Sequence, residues 1–233
     1  MPKFYPYLVL LFLSPATLLA QGPEMRLNLN SGFFSFRGDK AESVSFINNE
    51  SYTNNPYGRK GGLSYGLSFD LRKASQSGFL FGANLGYEML RSKVDLEFTG
   101  VIMGDILADF EGKTYLNNSF INVFPYLGKR FPVGPYHLDL TGGLDLAYVL
   151  SSREKGKAEP VNYDKDDIKT SVDRKNVNTD IRPRLQLSLD VEKIGIYVGY
   201  SYGLRNYLQN MEGPGTWEAY SRMWRLGLTY RVF

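Results

Sequence analysis

From about residue 25 to the end, apolar and polar residues alternate with period two in eight stretches, the spacing that sends successive side chains to opposite faces of a β-strand. The clearest sets Leu63, Tyr65, Leu67, Phe69 and Leu71 against Gly62, Ser64, Gly66, Ser68 and Asp70. Phe79, Phe81, Ala83, Leu85, Tyr87 and Met89 follow in the same way, against Gly82, Asn84, Gly86 and Glu88. Further on, Tyr136 to Tyr148 alternates with His137, Asp139, Thr141, Gly143 and Asp145, and Ile181 to Val191 with Arg182, Arg184, Gln186, Ser188 and Asp190. Ile194 to Leu204 forms the seventh stretch, and the chain closes on "WRLGLTYRVF", apolar at Trp224, Leu226, Leu228, Tyr230 and Val232. Two strands are less regular. The first, Met25 to Phe36, changes phase near Ser31-Gly32, where a bulge is expected. The fourth, "NNSFINVFPYLGKRF", is apolar on both faces, with Ile121, Val123 and Leu127 taken as its outward set.

The connections sort by length. Long polar segments (37–59, 93–113, 151–178 and "QNMEGPGTWEA") alternate with the short links "KASQSG", "KRFPVGP" and Glu192-Lys193. Strands joined by long loops at one end and short turns at the other are the asymmetry of an outer-membrane barrel. A soluble sandwich has no reason to sort its loops by side. The polar face points the same way: besides glycine, serine and asparagine it carries Asp70, Glu88, Asp139, Asp145, Asp190, Arg182, Arg184, Arg205, Arg225 and Arg231, with little lysine. Arginine balanced by carboxylate suits a closed interior where charges must pair. Tyr87, Tyr136, Tyr148, Tyr200, Trp224 and Tyr230 lie near strand ends, as an aromatic girdle would. The expected fold is all-β: an eight-stranded antiparallel transmembrane up-and-down barrel whose apolar face meets lipid and whose lumen is filled by side chains.

Composition adds the compartment. Residues 1–20 combine Lys3, an apolar run from Tyr7 to Leu13, a Ser14-Pro15 break and Ala20, the pattern of a secretory signal cleaved before Gln21, leaving 21–233 as the barrel domain. The run is far shorter than the roughly 20 residues a spanning helix needs. With no cysteine there is neither disulfide nor thiolate metal site. A net charge of +3, with bases and acids mixed along the chain, gives no case for nucleic acid.

The export signal ending in Ala-Gln, the fourth strand "FINVFPYLGKRF", the seventh "GIYVGYSYGLRN" and the end "RLGLTYRVF" resemble the small outer-membrane β-barrel family of Bacteroidota to which PorT belongs, similar in architecture to OmpX and the OmpA barrel. The chain departs from that pattern in placing Tyr230 three rather than two residues before Phe233. The resemblance implies a cell outer membrane location and insertion by the barrel-assembly machinery through the terminal Phe233. It also implies contact with outer-membrane lipid including lipopolysaccharide, and a subunit role in an envelope complex such as protein secretion, reached through the long loops.

No residue is assigned a catalytic, cofactor-binding or metal-binding role. A lipid-modifying barrel enzyme such as a lipid A deacylase would need a histidine with serine or an acid near the outer leaflet. The single histidine, His137, starts strand five at the short-turn end, in "HLD". Asp139 and Asp145 share a face but lie about three strand repeats apart, too far to act as a pair. Asp164, Asp166, Asp167 and Asp173 do not follow EF-hand spacing and read as a solvated loop. A narrow channel is the third alternative, opposed by an eight-stranded lumen. It would gain if 94–110 hid a hairpin that raised the count to ten; those residues are expected instead to extend the strands beyond the membrane, or to form a capping hairpin or short helix, and to be the contact surface.

Overall fold

The computed structural model describes residues 22–47, 53–102, 106–161, 166–175, 177–209 and 216–232. Among them the chain forms β1 (Glu24–Arg37), β2 (Val44–Ser45), β3 (Lys60–Ala74), β4 (Phe79–Ile102), β5 (Ile106–Val133), β6 (Tyr136–Pro160), β7 (Ile168–Asp173), β8 (Thr179–Val191), β9 (Ile194–Asn206) and β10 (Tyr220–Arg231). Eight of these close into a ring, β1-β3-β4-β5-β6-β8-β9-β10, with every neighbouring pair antiparallel and β10 returning to β1. β2 and β7 stand off the ring: β2 lies parallel to β4 at Val44–Ser45, and β7 pairs with the far part of β6. The count in the barrel wall is therefore eight among the described residues, and 94–102 and 106–110 add length rather than strands.

The period-two pattern is realised as an inside-out sheet. Leu63, Leu67, Leu85, Leu144, Leu185, Ile196 and Leu226 are exposed on the outer surface, while Arg26, Asp70, Glu88, Asp145, Arg182 and Arg225 are buried within. Such an arrangement is stable where the solvent is hydrocarbon, and closure leaves no strand edge to go unpaired in it. Ile121, Val123 and Leu127 point outward as expected, with Asn122, Phe124 and Tyr126 inward. Trp224, Tyr87 and Tyr148 mark the outer surface toward the long-loop end, and Tyr136 and Tyr230 the short-turn end.

The bulge expected at Ser31-Gly32 is absent. β1 stays in unbroken register with β3 and β10 across those residues. The apolar phase changes because Phe34 and Phe36 face inward, where the lumen turns from polar to aromatic. Gly32 is needed for another reason: at φ +156°, a Cβ there would sit 1.8 Å from the Trp224 carbonyl oxygen. Register shifts occur elsewhere, between Gly61 and Tyr65, Ser119 and Phe120, and Tyr220 and Arg222, toward the long-loop rim. Bulges cluster at barrel rims because they let strands bend away.

Strand length departs most from the sequence pattern. β4, β5 and β6 run for 24, 28 and 25 residues, against 13, 13 and 12 in β8, β9 and β10. At about 3.4 Å per residue and a tilt near 40°, the extra residues lift these strands roughly 25 Å beyond the rim on one side. The result is a one-sided crown of β4, β5, β6 and β7 above the barrel.

Candidate functional site

The lumen is filled by two ionic networks. Near the short turns, Arg26 grips Asp190 with two bonds of 2.9 and 2.7 Å. Arg72 reaches Glu24, Asp139 and Asp190, each at 2.8 Å. Arg130 bonds Glu24 at 2.7 Å and Asp139 at 2.9 Å. At mid-height, Arg225 donates to Glu88 at 2.7 and 2.8 Å and to Asp145 at 2.9 Å, and Arg182 lies 3.0 Å from Asp145. Asp70 accepts from the Tyr126 hydroxyl at 2.9 Å between the two networks. Arg182 and Arg184 also sit over the Phe120 and Phe124 rings, at 5.1 and 4.4 Å. Paired arginine and carboxylate explain how so much charge is tolerated away from water. The remaining void beside Arg26, Asp70 and Tyr126 is about 10 Å³, room for about one water.

Sequence reasoning placed most of these groups but not all. Asp70, Glu88, Asp139, Asp145, Asp190, Arg182, Arg184 and Arg225 line the lumen as expected. Arg205 and Arg231 do not: Arg205 is exposed, and Arg231 is at the short-turn rim, donating to the Glu192 carbonyl at 2.6 Å. Both keep the inward phase, but they lie where the wall ends and water reaches them. Glu24, Arg26, Arg72 and Arg130 were missed; their signal was the same inward phase, continued past the last apolar partner of each strand. His137 is exposed at the short-turn rim, opposite Pro132 and Asp190. Asp139 and Asp145 fall into separate networks. In the acidic stretch, Asp164 lies outside the described residues; Asp167 pairs with Lys157 at 2.9 Å, and Asp173 ends β7, a strand where a solvated loop was expected. Among the described residues, no group of three or more acids and histidines is disposed to hold a metal.

Above the networks an apolar plug seals the barrel. Phe36 makes edge-on contacts with Phe34, Tyr57 and Tyr207 at 5.1, 5.1 and 5.0 Å, and Leu90, Leu116, Phe120 and Met223 pack around them. Higher still, the inner face of the crown is covered. Leu96, Phe110 and Ala158 bury against Ile47, with Phe98 stacked on Phe110 at 5.2 Å. Between plug and cover, the buried Glu154 accepts from the Thr53 amide at 3.0 Å and from Arg174 at 2.7 Å. A cavity of about 210 Å³ lies beside this, lined by Lys40, Tyr57, Arg174 and Trp217 among others, with the Lys40 amine 4.9 Å from the Trp217 ring.

The outer face of the crown is therefore its free surface, and cross-strand register orders it in rows. Counting away from the barrel, the first row is Arg91, Asn117, Arg153 and Asp173. Next come Lys93, Tyr115, Lys155 and Ser171, then Asp95, Lys113, Lys157 and Lys169. A row of Glu97, Glu111 and Glu159 stands beyond them. The Lys157 amine donates to Glu159 at 2.6 Å and to Asp167 at 2.9 Å, and both carboxylates hold it protonated. Burial works against ionisation of Asp95, but Lys60 and Lys93 outweigh it and hold that carboxyl below its ordinary value. A cationic band with an acidic rim can recognise anions at one height only.

The sequence profile of the outer membrane protein beta-barrel domain matches residues 22–209. No protein of curated function matches the chain. Among solved structures, Ail, the attachment invasion locus protein of Yersinia pestis, in complex with the heparin analogue sucrose octasulfate, is similar at 13% identity and a TM-score of 0.39, over 91% of this chain and 99% of that one. Neisserial surface protein A is similar at 11% identity and a TM-score of 0.39, over the same shares.

Proposed function

The chain belongs to the outer membrane protein beta-barrel domain family, and from that premise we propose that it is a non-enzymatic binding or structural barrel of the outer membrane. The closed lumen serves as a rigid mount, and the crown on β4 to β7 is the working surface. One observation supports this above the rest: two ionic networks fill the lumen, with a void of about 10 Å³ beside Arg26, while β4, β5 and β6 are carried far past the rim. A lumen packed with paired charge has no place for a substrate, whereas a projecting sheet invites contact. The exposed His137 at the short-turn rim is remote from the outer leaflet, where lipid chemistry would need it.

In this reading the chain is exported by residues 1–20, is inserted by the barrel-assembly machinery, and serves as a subunit of an envelope complex, with PorT-like participation in protein secretion as the finer form. Photo-crosslinkers placed at Glu111 and Lys155 on the crown, and at Gln76 and Lys193 on the short turns, test it in native membranes. Defined adducts from the crown positions alone are expected. A monomer recovered without adducts after gentle solubilisation defeats the subunit role. A changed lipid A acyl profile in a deletion strain would favour an enzyme, and conductance steps in planar bilayers would favour a channel.

A further inference from the structure

We infer that the outer face of the crown binds the phosphorylated headgroups of glycolipids in the surrounding outer leaflet; this rests on the outer-membrane orientation given above. The band's position on the strands is the main observation. On β4 the outward apolar series runs from Phe79 to Met89, and the next outward residue is Arg91, followed by Lys93. Each two-residue step climbs about 5 Å along the barrel axis. Arg91 and Arg153 therefore lie at roughly the depth of lipid headgroups, and the two lysine rows stand about 10 and 15 Å above the apolar edge. Lysine stems of about 6 Å bring the nearer row down to headgroup depth and the farther row to within about 10 Å of the apolar edge.

Charge accounting favours an anion. The three rows hold seven cations and the carboxylates Asp95 and Asp173. Asp95 is paired with Lys60 and Lys93, Asp173 lies 3.8 Å from Arg153, and Lys157 is held by Glu159 and Asp167. Among the described residues, Lys113, Lys155 and Lys169 have no carboxylate partner, and all are exposed. Three unpaired ammoniums on adjacent strands, in neighbouring rows, form a compact positive patch. Its ligand is taken from the membrane rather than from the medium, because the Glu97, Glu111 and Glu159 row repels a polyanion approaching from outside. Other cations mark the same interface by lying over aromatic rings: Arg91 over Tyr115 at 5.5 Å, Lys175 over Tyr148 at 5.4 Å and Arg37 over Tyr202 at 3.6 Å. The crown covers one side only, so bound glycolipid would be asymmetric around the barrel.

The test uses the folded chain in phosphatidylcholine nanodiscs doped with diphosphoryl, monophosphoryl or dephosphorylated lipid A, with lipid retention read by native mass spectrometry. Wild type is expected to retain diphosphoryl lipid A best and the dephosphorylated form least. The variant K113A/K155A/K157A/K169A should lose roughly fivefold in affinity for each lysine removed. The corresponding four arginine substitutions should keep retention, as should K73A/K129A/K193A at the opposite end. Equal retention by the alanine variant overturns the inference. So does tighter binding of inorganic pyrophosphate than of lipid A, which would make the patch a site for soluble anions. Heat-modifiable gel migration is checked for every variant. Its absence in wild type would defeat the barrel reading itself, and the inference with it, whereas its presence with no loss in the alanine variant defeats the inference alone.

Discussion

Replacing Arg225 by methionine removes one corner of the mid-height network while keeping the length of the side chain. Arg225 is fully buried and makes three charge-assisted hydrogen bonds of 2.7, 2.8 and 2.9 Å to Glu88 and Asp145. Its loss leaves two carboxylates facing Arg182, which lies 3.4 Å from Glu88 and 3.0 Å from Asp145. Breaking a buried pair from one side costs about 3–5 kcal/mol, here because two carboxylates are left to share one arginine away from water. Removing Glu88 as well, in E88Q/R225M, restores the balance of Asp145 against Arg182. That double variant should lose only about 1–2 kcal/mol, for a polar amide less well satisfied than before. The double variant should then be about 2–3 kcal/mol more stable than R225M alone. Unfolding by urea in zwitterionic vesicles supplies the measurement. Trp224, tilted against Tyr200 with ring centroids 4.7 Å apart and exposed on the outer face beside Arg225, reports through its fluorescence. A single variant within about 1 kcal/mol of wild type, or a double variant no better than the single, would refute the account of the lumen as a set of mutually dependent charges.

Gly32→Ala should cost at least about 2 kcal/mol, since the added Cβ meets the Trp224 carbonyl and the backbone φ is one that alanine avoids. The same fluorescence transition measures it, and an unchanged midpoint would mean that β1 and β10 can separate there freely. Phe36→Ala empties the centre of the aromatic plug and should cost about 3–5 kcal/mol. Proteolysis of the crown should accelerate in parallel, because the plug joins crown to barrel; an unaltered cleavage rate would separate the two. Asp95 gives a pH dependence. Its depressed carboxyl contributes stability that is fully present above its ordinary value of 3.8 and is lost as pH falls through the lowered one. Amide exchange at the β2–β4 pairing should rise below about pH 4 in wild type, and D95N should be faster at neutral pH with a flatter acid response.

The barrel was legible because its signal is repetitive. Each outward leucine and inward polar residue votes for the same phase, so a reading of eight strands survives an error in any one of them. Legibility failed where the environment changed along a strand. Phe34 and Phe36 look like a phase slip when every apolar residue is assumed to face lipid, yet they continue the inward phase into a dry plug. The crown was legible only in part, with 94–110 expected to extend the strands but 151–178 expected as loop, for a related reason. Lys93, Asp95 and Glu97 outside and Val94, Leu96 and Phe98 toward the inner side still alternate, but with polarity reversed, because outside the membrane the outer face meets water. Glu24, Arg26 and Arg130 could each be read as inward by phase; that they share one ionic network could not, because the pairing runs from β1 to β5 across the lumen.

That cross-lumen pairing also says what the charges contribute. Buried ion pairs are weak evidence for net stability, and apolar residues of equal volume could fill the same space. What they supply here is register. A one-residue slip of any strand would exchange its two faces, carrying Leu226 or Leu27 into the lumen and Arg225 or Arg26 into hydrocarbon. Arg225 of the last strand meets Glu88 of β4, and Arg26 of the first meets Asp190 of β8. Strands that are not neighbours in the wall are thereby tied to one another. The ring thus has one low-energy closure, and β4, β5 and β6 leave it at fixed height and angle. A surface that recognises headgroups by depth, as the lysine rows would, requires that mount, because a shift of a single two-residue step moves the rows by about 5 Å.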